Sequence, residues 1–340
     1  MHAAGCDPNG HPAVEAWREL RGDGSLPQSL KTLYEAQKSA VYLLERVGGE
    51  GSGVIAKLCL KETAVVECAV YKEILPRLST PTLRYYGHVA GEGDFCWLFV
   101  DDAGEREYSS AIDKHRLLAA RWLGMMHLAT AGLAGETPLP SRSPLYYLTT
   151  LRSTRRDIVE NFGNPTLTAD NVSVLKAIAA QFDLLESRWD QLQAFCGQMP
   201  QTLVHGDFKE ENMRVRQSEQ GDILLPFDWE LAGWGTPAVD LARGIRHSGD
   251  AMAAVSEYLS IVRHYWPQLR LEDVRRLVSC GAVFRLIDSI AWERFGIIYD
   301  DWASRGIAGE CARWAMHELG RYGTRLAEAV QAVQWSGEIS

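Results

Sequence analysis

Hydrophobic and polar positions divide the chain into two textures. From Ala40 onward, "AVYLLERV" and "GVIAKLCL" are short apolar runs joined by "GGEGS", the pattern of two strands around a Gly-rich turn. In "TAVVECAVYKEILPRL", Val65, Ala69, Ile74 and Leu75 recur at roughly helical spacing, and Pro76 sits near the end. "TLRYYGHVA" and "DFCWLFVDD" flank "GEG" and read as two more strands. The segment before them, rich in Gly, Pro and polar residues, reads as an extension or a short capping helix. The pattern therefore predicts an extension over 1–30 and a small β-rich lobe with one helix over 31–101.

Past a polar connector at 102–106 the texture becomes helical, and a second, larger lobe is expected over 107–340. "AIDKHRLLAARWLGMMHLATAG" is a long amphipathic helix ending near Gly132, and residues 171–198, 250–265, 271–294 and 307–333 carry helical patterning. Residues 201–229 are the β-like piece of this half. "NMRVR" alternates Met213 and Val215 with Arg214 and Arg216, "QSEQGD" has turn chemistry, and "ILLPFDWE" returns, with Pro226 placing an edge or a break there. If Arg216 pairs with Ile223, Asn212 falls opposite Phe227 with Asp228 beside it. The expected class is α+β and bilobal, and clefts between lobes are common small-molecule sites.

Composition narrows the function. Hydrophobic residues at 46% and charged residues at 23% suit an ordinary globular protein. A net charge of −9 argues against a nucleic-acid partner and is compatible with a cationic small molecule. Cys6, Cys59, Cys68, Cys96, Cys196, Cys280 and Cys311 are scattered and form no C-x-x-C, so they read as reduced, mostly buried thiols. The opening "MHAAGCDPNGHP" lacks a basic n-region and an apolar h-region, and the longest weakly charged run is too short for a bilayer. A soluble, cytoplasmic protein with no membrane partner is expected.

The hairpin brings the amide oxygen of Asn212 and the carboxylate of Asp228 to one end, a donor set that suits Mg²⁺ shared with substrate phosphates. Asp207, on the loop leading in, is then available to orient an attacking hydroxyl. The run "HGDFKEEN", followed by "FDWELAGWGTPAVDLA", resembles the catalytic and metal loops of the aminoglycoside phosphotransferase/choline kinase family, small-molecule kinases with a protein-kinase-like fold. The resemblance spans roughly residues 35–245. It implies ATP and Mg²⁺ as cofactors, Asp207 as catalytic base or hydroxyl-orienting residue, His205 as buttress of its loop, and Asn212 and Asp228 as metal ligands. Asp240 would stabilise a loop, and Gly206 stands where protein kinases carry Arg. In the front lobe Lys57 resembles the strand lysine that holds the α- and β-phosphates, Glu67 its helix partner, and "WLFVDDAG" the hinge strand that meets adenine with backbone at Phe99, Val100 and Asp101.

Alternatives stand beside several of these residues. Lys61 competes with Lys57, and Glu73 with Glu67. "GGEGSG" does not fit a phosphate-binding Gly-rich loop; "AQKSA" is the better candidate, with backbone N–H groups at Lys38, Ser39 and Ala40. His127 and the tryptophans Trp97, Trp122, Trp229 and Trp292 read as core. No D-F-G or A-P-E segment supports a protein kinase. A catalytically silent nucleotide-binding scaffold with the same fold would have lost Asp207, Asn212 or Asp228, and all three are present. The sequence does not specify the hydroxyl acceptor. Asp288, Glu293, Asp300 and Asp301 are candidates to meet a cationic one, although acids on exposed helix faces are the plainer reading.

Overall fold

The computed structural model describes residues 5–6, 10–36, 38–244, 251–298, 308–333 and 335, and contact density divides the chain into two units. The first unit takes Met1–Pro140 and His205–Gly233; the second takes Ser141–Val204 and Trp234–Ser340. The chain opens on a two-residue strand, β1 (Gly5–Cys6), and a helix, α1 (Pro12–Arg21). His11 caps the helix by accepting the Ala13 N–H on Nδ1 at 3.2 Å, Pro12 presets φ in the first turn, and Gly22 ends it in the left-handed region. Its apolar stripe, Ala13, Val14, Ala16 and Trp17, is buried.

That stripe packs on a six-stranded sheet of order β1-β2-β3-β4-β6-β5, built from β2 (Leu30–Ala36), β3 (Ser39–Leu44), β4 (Val54–Leu60), β5 (Tyr85–Ala90) and β6 (Phe95–Asp101). The expected hairpin around "GGEGS" is present as the antiparallel β3–β4 pair. The first long strand, β2, begins at Leu30, ahead of the β patterning that starts at Ala40. Leu33 and Tyr34 of β2 are exposed, so the strand lacks the alternation that identifies β3. Of the two readings of the N-terminal segment, the short helix is the one present over Pro12–Arg21: Trp17 is fully buried, with its ring 5.4 Å from Phe99 and 5.3 Å from Tyr86. The predicted helix is α2 (Lys61–Ala69), which widens into a π-turn over Val70–Ile74 and tightens to a 3-10 turn over Leu75–Arg77, where Pro76 removes a backbone donor. The long helix α3 (Asp113–Thr130) follows.

The chain then enters the second unit through β7 (Ser141–Arg142) and the helices α4 (Pro144–Glu160), α5 (Ala169–Ser187) and α6 (Trp189–Cys196), to reach β8 (Thr202–Val204). α4 was not anticipated. Its apolar positions are interleaved with Thr, Ser and Arg, which blurs the helical stripe. In the first unit again, β9 (Met213–Ser218) and β10 (Gly221–Pro226) form the expected hairpin, with Arg216 opposite Ile223 and the strand ending at Pro226. β11 (Gly233–Gly235) joins β7 and β8 in a small sheet, followed by α7 (Ala238–Gly244), α8 (Ala251–Val262), α9 (Leu271–Glu293) and α10 (Ala308–Ala332). Within the second unit a Cβ at Gly281 would lie 1.7 Å from the Ala238 carbonyl, so only glycine lets α9 approach α7 this closely. Tyr147 stacks on Phe284 at 4.4 Å in the same core. Among the described residues no helix is long and apolar enough to cross a membrane.

Candidate active site

Alternation along β4 decides which side chains meet. Lys57 lies opposite Leu98, and Ile55 opposite Val100, so these four share one face of the sheet; Val41, opposite Lys57, and Ser39 two residues earlier share it too. Lys57 Nζ donates to Glu67 Oε2 at 2.8 Å and also to Asp228 Oδ1, with Glu230 Oε2 at 3.8 Å. Glu67 projects from α2 and is 2% exposed. Burial by itself pulls the Lys57 ammonium toward neutrality, but Glu67, Asp228 and Glu230 outweigh it and hold its pKa well above the ordinary lysine value. The carboxylates show the converse. Burial raises Glu67 despite Lys57, and burial and the Asp228 charge raise Glu230. Three carboxylates share one ammonium, so the cluster is short of positive charge.

The second half of the site is the loop after β8. His205 is fully buried; its Nδ1 accepts the Asp207 N–H at 3.3 Å, and its Nε2 donates to the Phe227 carbonyl at 2.9 Å. These partners select the Nε2–H tautomer. One imidazole thus ties the loop of Asp207 to the residue preceding Asp228, and its ring lies 4.4 Å from Trp229. Gly206 has φ of +78°, and a Cβ there would fall 2.3 Å from the Leu231 carbonyl, which is a local steric reason for glycine in place of arginine. Asn212 donates through Nδ2 to the carbonyl and Oδ2 of Asp207, both at 3.1 Å, which turns its amide oxygen the other way. The Phe227 N–H donates to the Asn212 carbonyl at 3.0 Å and continues the hairpin register. Asp228 itself has φ of 67° and ψ of 64°, a left-handed conformation that Asp tolerates better than most residues.

Several predicted residues are sorted by this geometry. Lys61 begins α2 and donates to the Gly93 carbonyl at 2.6 Å, whereas Glu73 accepts from Thr137 Oγ1 at 3.0 Å; neither joins the Lys57 cluster. Of "AQKSA", Ser39 pairs with Ala36 and Ala40 with Glu35 where β2 meets β3, and Gln37 lies outside the described residues. Phe99 lies opposite Ala56, on the face covered by α1, and β6 is paired on both sides. Val100 remains on the Lys57 face, but its backbone lies within the same two ladders. The Asp101 side chain accepts the Tyr86 hydroxyl at 2.6 Å and its N–H donates to the Arg84 carbonyl at 2.8 Å. The strand end after Asp101, not its interior, is where backbone leaves the ladders. His127, Trp97, Trp122 and Trp229 are buried as expected, but Trp292 is 76% exposed, near the end of α9. Asp300 and Asp301 lie outside the described residues.

Glu230 and Lys209 were not singled out in the sequence, although they sit two residues after Asp228 and Asp207 in the runs that carry the motif. Lys209 Nζ lies 2.6 Å from Asp207 Oδ2. Glu210, next in line, accepts from the N–H (2.9 Å) and the hydroxyl of Ser110 and so fastens the loop. Among the described residues no group of three or more His, Cys, Asp and Glu is arranged to hold a metal alone. An oxygen pair from Asn212 and Asp228, completed by phosphate oxygens and water, is a donor set of the kind Mg²⁺ takes, and the surplus of carboxylates around Lys57 favours a divalent cation. Cys59 and Cys68, close to the Lys57–Glu67 pair, are free thiols that burial pushes up to about 12 and about 11, out of the reactive range.

The family model described as "Phosphotransferase enzyme family" matches residues 29–271. No curated protein sequence matches the chain significantly. Among solved structures, the GDP complex of wild-type aminoglycoside 2'-phosphotransferase-IIIa is similar at TM-score 0.62 and 13% identity, covering 91% of this chain and 97% of that one. An ethanolamine kinase of Plasmodium vivax gives 0.54 at 14% identity, covering 88% and 81%. A choline kinase from Cryptosporidium parvum gives 0.52 at 11%, covering 89% and 90%. The fold is thereby α+β and protein-kinase-like, with a β-rich N-terminal part and a larger, mainly helical C-terminal part.

Proposed function

The chain belongs to the phosphotransferase enzyme family and is a small-molecule kinase; from that premise we propose that it transfers the γ-phosphoryl group of ATP, with Mg²⁺, to a hydroxyl of a small amine-bearing molecule. The observation that carries the reading is the contact of Lys57 with both Glu67 and Asp228, residues 10 and 171 positions away in sequence. It assembles a cation held for phosphates beside a carboxylate suited to metal. In this reading Lys57 holds the α- and β-phosphates and Glu67 fixes its direction. The backbone from Asp101 onward, where β6 ends, meets the adenine, and the β2–β3 turn at Ser39 covers the phosphates. Asn212 and Asp228 would hold the metal, which would supply positive charge to the phosphates. Asp207 aligns the acceptor hydroxyl, and His205 keeps the two loops in register. The amine-bearing acceptor is supported by the net charge of −9 and by the aminoglycoside, ethanolamine and choline named for the structural neighbours. A cytoplasmic setting suits the free thiols that are buried among the described residues, at Cys59, Cys68, Cys96, Cys196 and Cys280.

The experiment is a thermal-shift screen with Mg·ATP and Mg·GTP against a panel of amino alcohols and aminoglycosides, followed by nucleoside diphosphate release. A true ligand raises the melting temperature by mass action. Asp207→Ala should lower turnover about 10²-fold or more while leaving nucleotide affinity nearly unchanged. A wild-type protein that no nucleotide stabilises, or an Asp207→Ala variant with normal turnover, would remove the assignment.

A further inference from the structure

Asp207 and Asp228 lie on separate loops, and each is followed at once by a buried ring, Phe208 and Trp229. Trp122, from helix α3, touches both. Its ring lies 6.0 Å from Phe208, 25° from parallel, and 5.8 Å from Trp229, tilted by 40°. The indole is 3% exposed, and its Nε1–H donates to the Pro81 carbonyl at 3.2 Å, shortly before β5. His205 completes the cluster, 5.8 Å from Phe208 and in contact with Trp229.

His205 joins the two loops by one hydrogen bond to each, but it belongs to the first loop and moves with it. Trp122 belongs to neither. Its helix is anchored separately, through the buried Arg116 guanidinium, which donates to the Ser110 carbonyl at 2.5 Å. Rings this buried pack at the density of organic crystals, so none shifts without its neighbours. The constraint matters most at Asp228, whose left-handed φ of 67° persists only where the surroundings over-determine it. Its contact with Lys57 is a poor candidate for that constraint, because the phosphates compete for the same ammonium. Ring packing is unaffected by that exchange. Resting on the phosphotransferase reading, we propose that Trp122 is a positioning residue whose indole sets the separation of Asp207 and Asp228. That separation fixes the distance between the metal and the acceptor hydroxyl, and a misplacement of about 1 Å in such a site costs on the order of 10²-fold in rate. Trp122 is too deeply buried to meet substrate; it acts through Phe208 and Trp229.

The test uses Trp122→Met, which fills the space with a flexible chain and no ring, and Trp122→Phe, which keeps a ring and loses the N–H. Calorimetry gives the affinity for ADP with and without Mg²⁺, ADP release from Mg·ATP with water as acceptor gives kcat and KM, and denaturation gives stability. Trp122→Met should lower kcat ~10-fold or more with KM within about twofold of wild type. It should bind metal-free ADP as wild type does and lose most of the affinity that Mg²⁺ adds, because Asp228 is displaced. Trp122→Phe should keep kcat within about threefold, since a ring remains between the loops. Trp17→Leu, on the α1 side of the sheet, is the control: stability falls, and kcat below the melting transition holds. If Trp122→Met does not fold, Phe208→Leu removes the same ring contact from the loop side and should give the same split. Equal kcat losses in Trp122→Met and Trp17→Leu would make the effect one of general packing, and a Phe variant as slow as the Met variant would deny the ring its role. Unchanged kcat and an unchanged gain from Mg²⁺ would remove Trp122 from the reaction. A wild type that binds no ADP, with or without Mg²⁺, would overturn the nucleotide reading itself, and that result appears before any substitution.

Discussion

At Lys57 and Lys61 alternation gives the same answer for both, since the two positions differ by an even number and could share one face of a strand. Position separates them. Lys57 lies within β4 against Glu67 and Asp228, and Lys61 begins α2 with its ammonium on the Gly93 carbonyl. Lys57→Ala should weaken ATP binding or slow transfer at fixed Mg²⁺, and Lys61→Ala should do much less; equal, small effects would detach the front of the site from the chemistry. Glu230 gives a pH-dependent prediction. Burial and the Asp228 charge place its folded pKa above the ordinary value, so its ionised form opposes folding at pH above that pKa, and the opposition fades as pH falls through it. Glu230→Gln should therefore melt higher than wild type at about pH 8, with the gap closing toward about pH 4.5. A gap that widens on acidification would reverse the sign. The acids and amides of the motif were legible because their chemistry is local to one run of sequence. The face on which Phe99 lies was not legible, because strand register depends on partners that no local pattern reveals.

Elements show the same division between local and distant causes. The β9–β10 hairpin was readable to the residue because its turn and its alternation are contiguous, and Arg216 does face Ile223. The loop before it depends on Gly206, whose positive φ and missing Cβ clear the Leu231 carbonyl. Gly206→Ala should destabilise the protein by about 1–2 kcal/mol from backbone strain alone, with the overlap adding to it, and should lower activity further by moving His205 and Asp207. Urea denaturation and turnover on the same variant would check both. The helix α1 was harder to recognise, since its short apolar stripe gains meaning only from the sheet beneath it. Trp17→Ala should cost about 3–5 kcal/mol, a loss measurable by denaturation; a change under ~1 kcal/mol would mean that α1 contributes little to the stability of the sheet.

The whole molecule was legible as a β-rich beginning and a helical remainder, because periodicity changes from two to 3.6 near residue 107. The division into two units was not, since it is a property of contacts: the first unit takes residues 205–233 from far along the chain, and the second takes what lies on either side of them. Interleaving of this kind has a consequence for synthesis on the ribosome. The sheet, α1 and α2 emerge early, but Lys57 waits 171 residues for Asp228, and His205 waits 22 more residues for the Phe227 carbonyl after it has itself been made. Translation at about 5–20 residues per second leaves the nascent N-terminal half without its last hairpin for many seconds, with the Lys57 ammonium held by Glu67 alone. The order of manufacture delivers the last member of the Lys57 cluster late, so a truncated product ending before Asp228 carries the lysine and lacks the carboxylate that completes the contact.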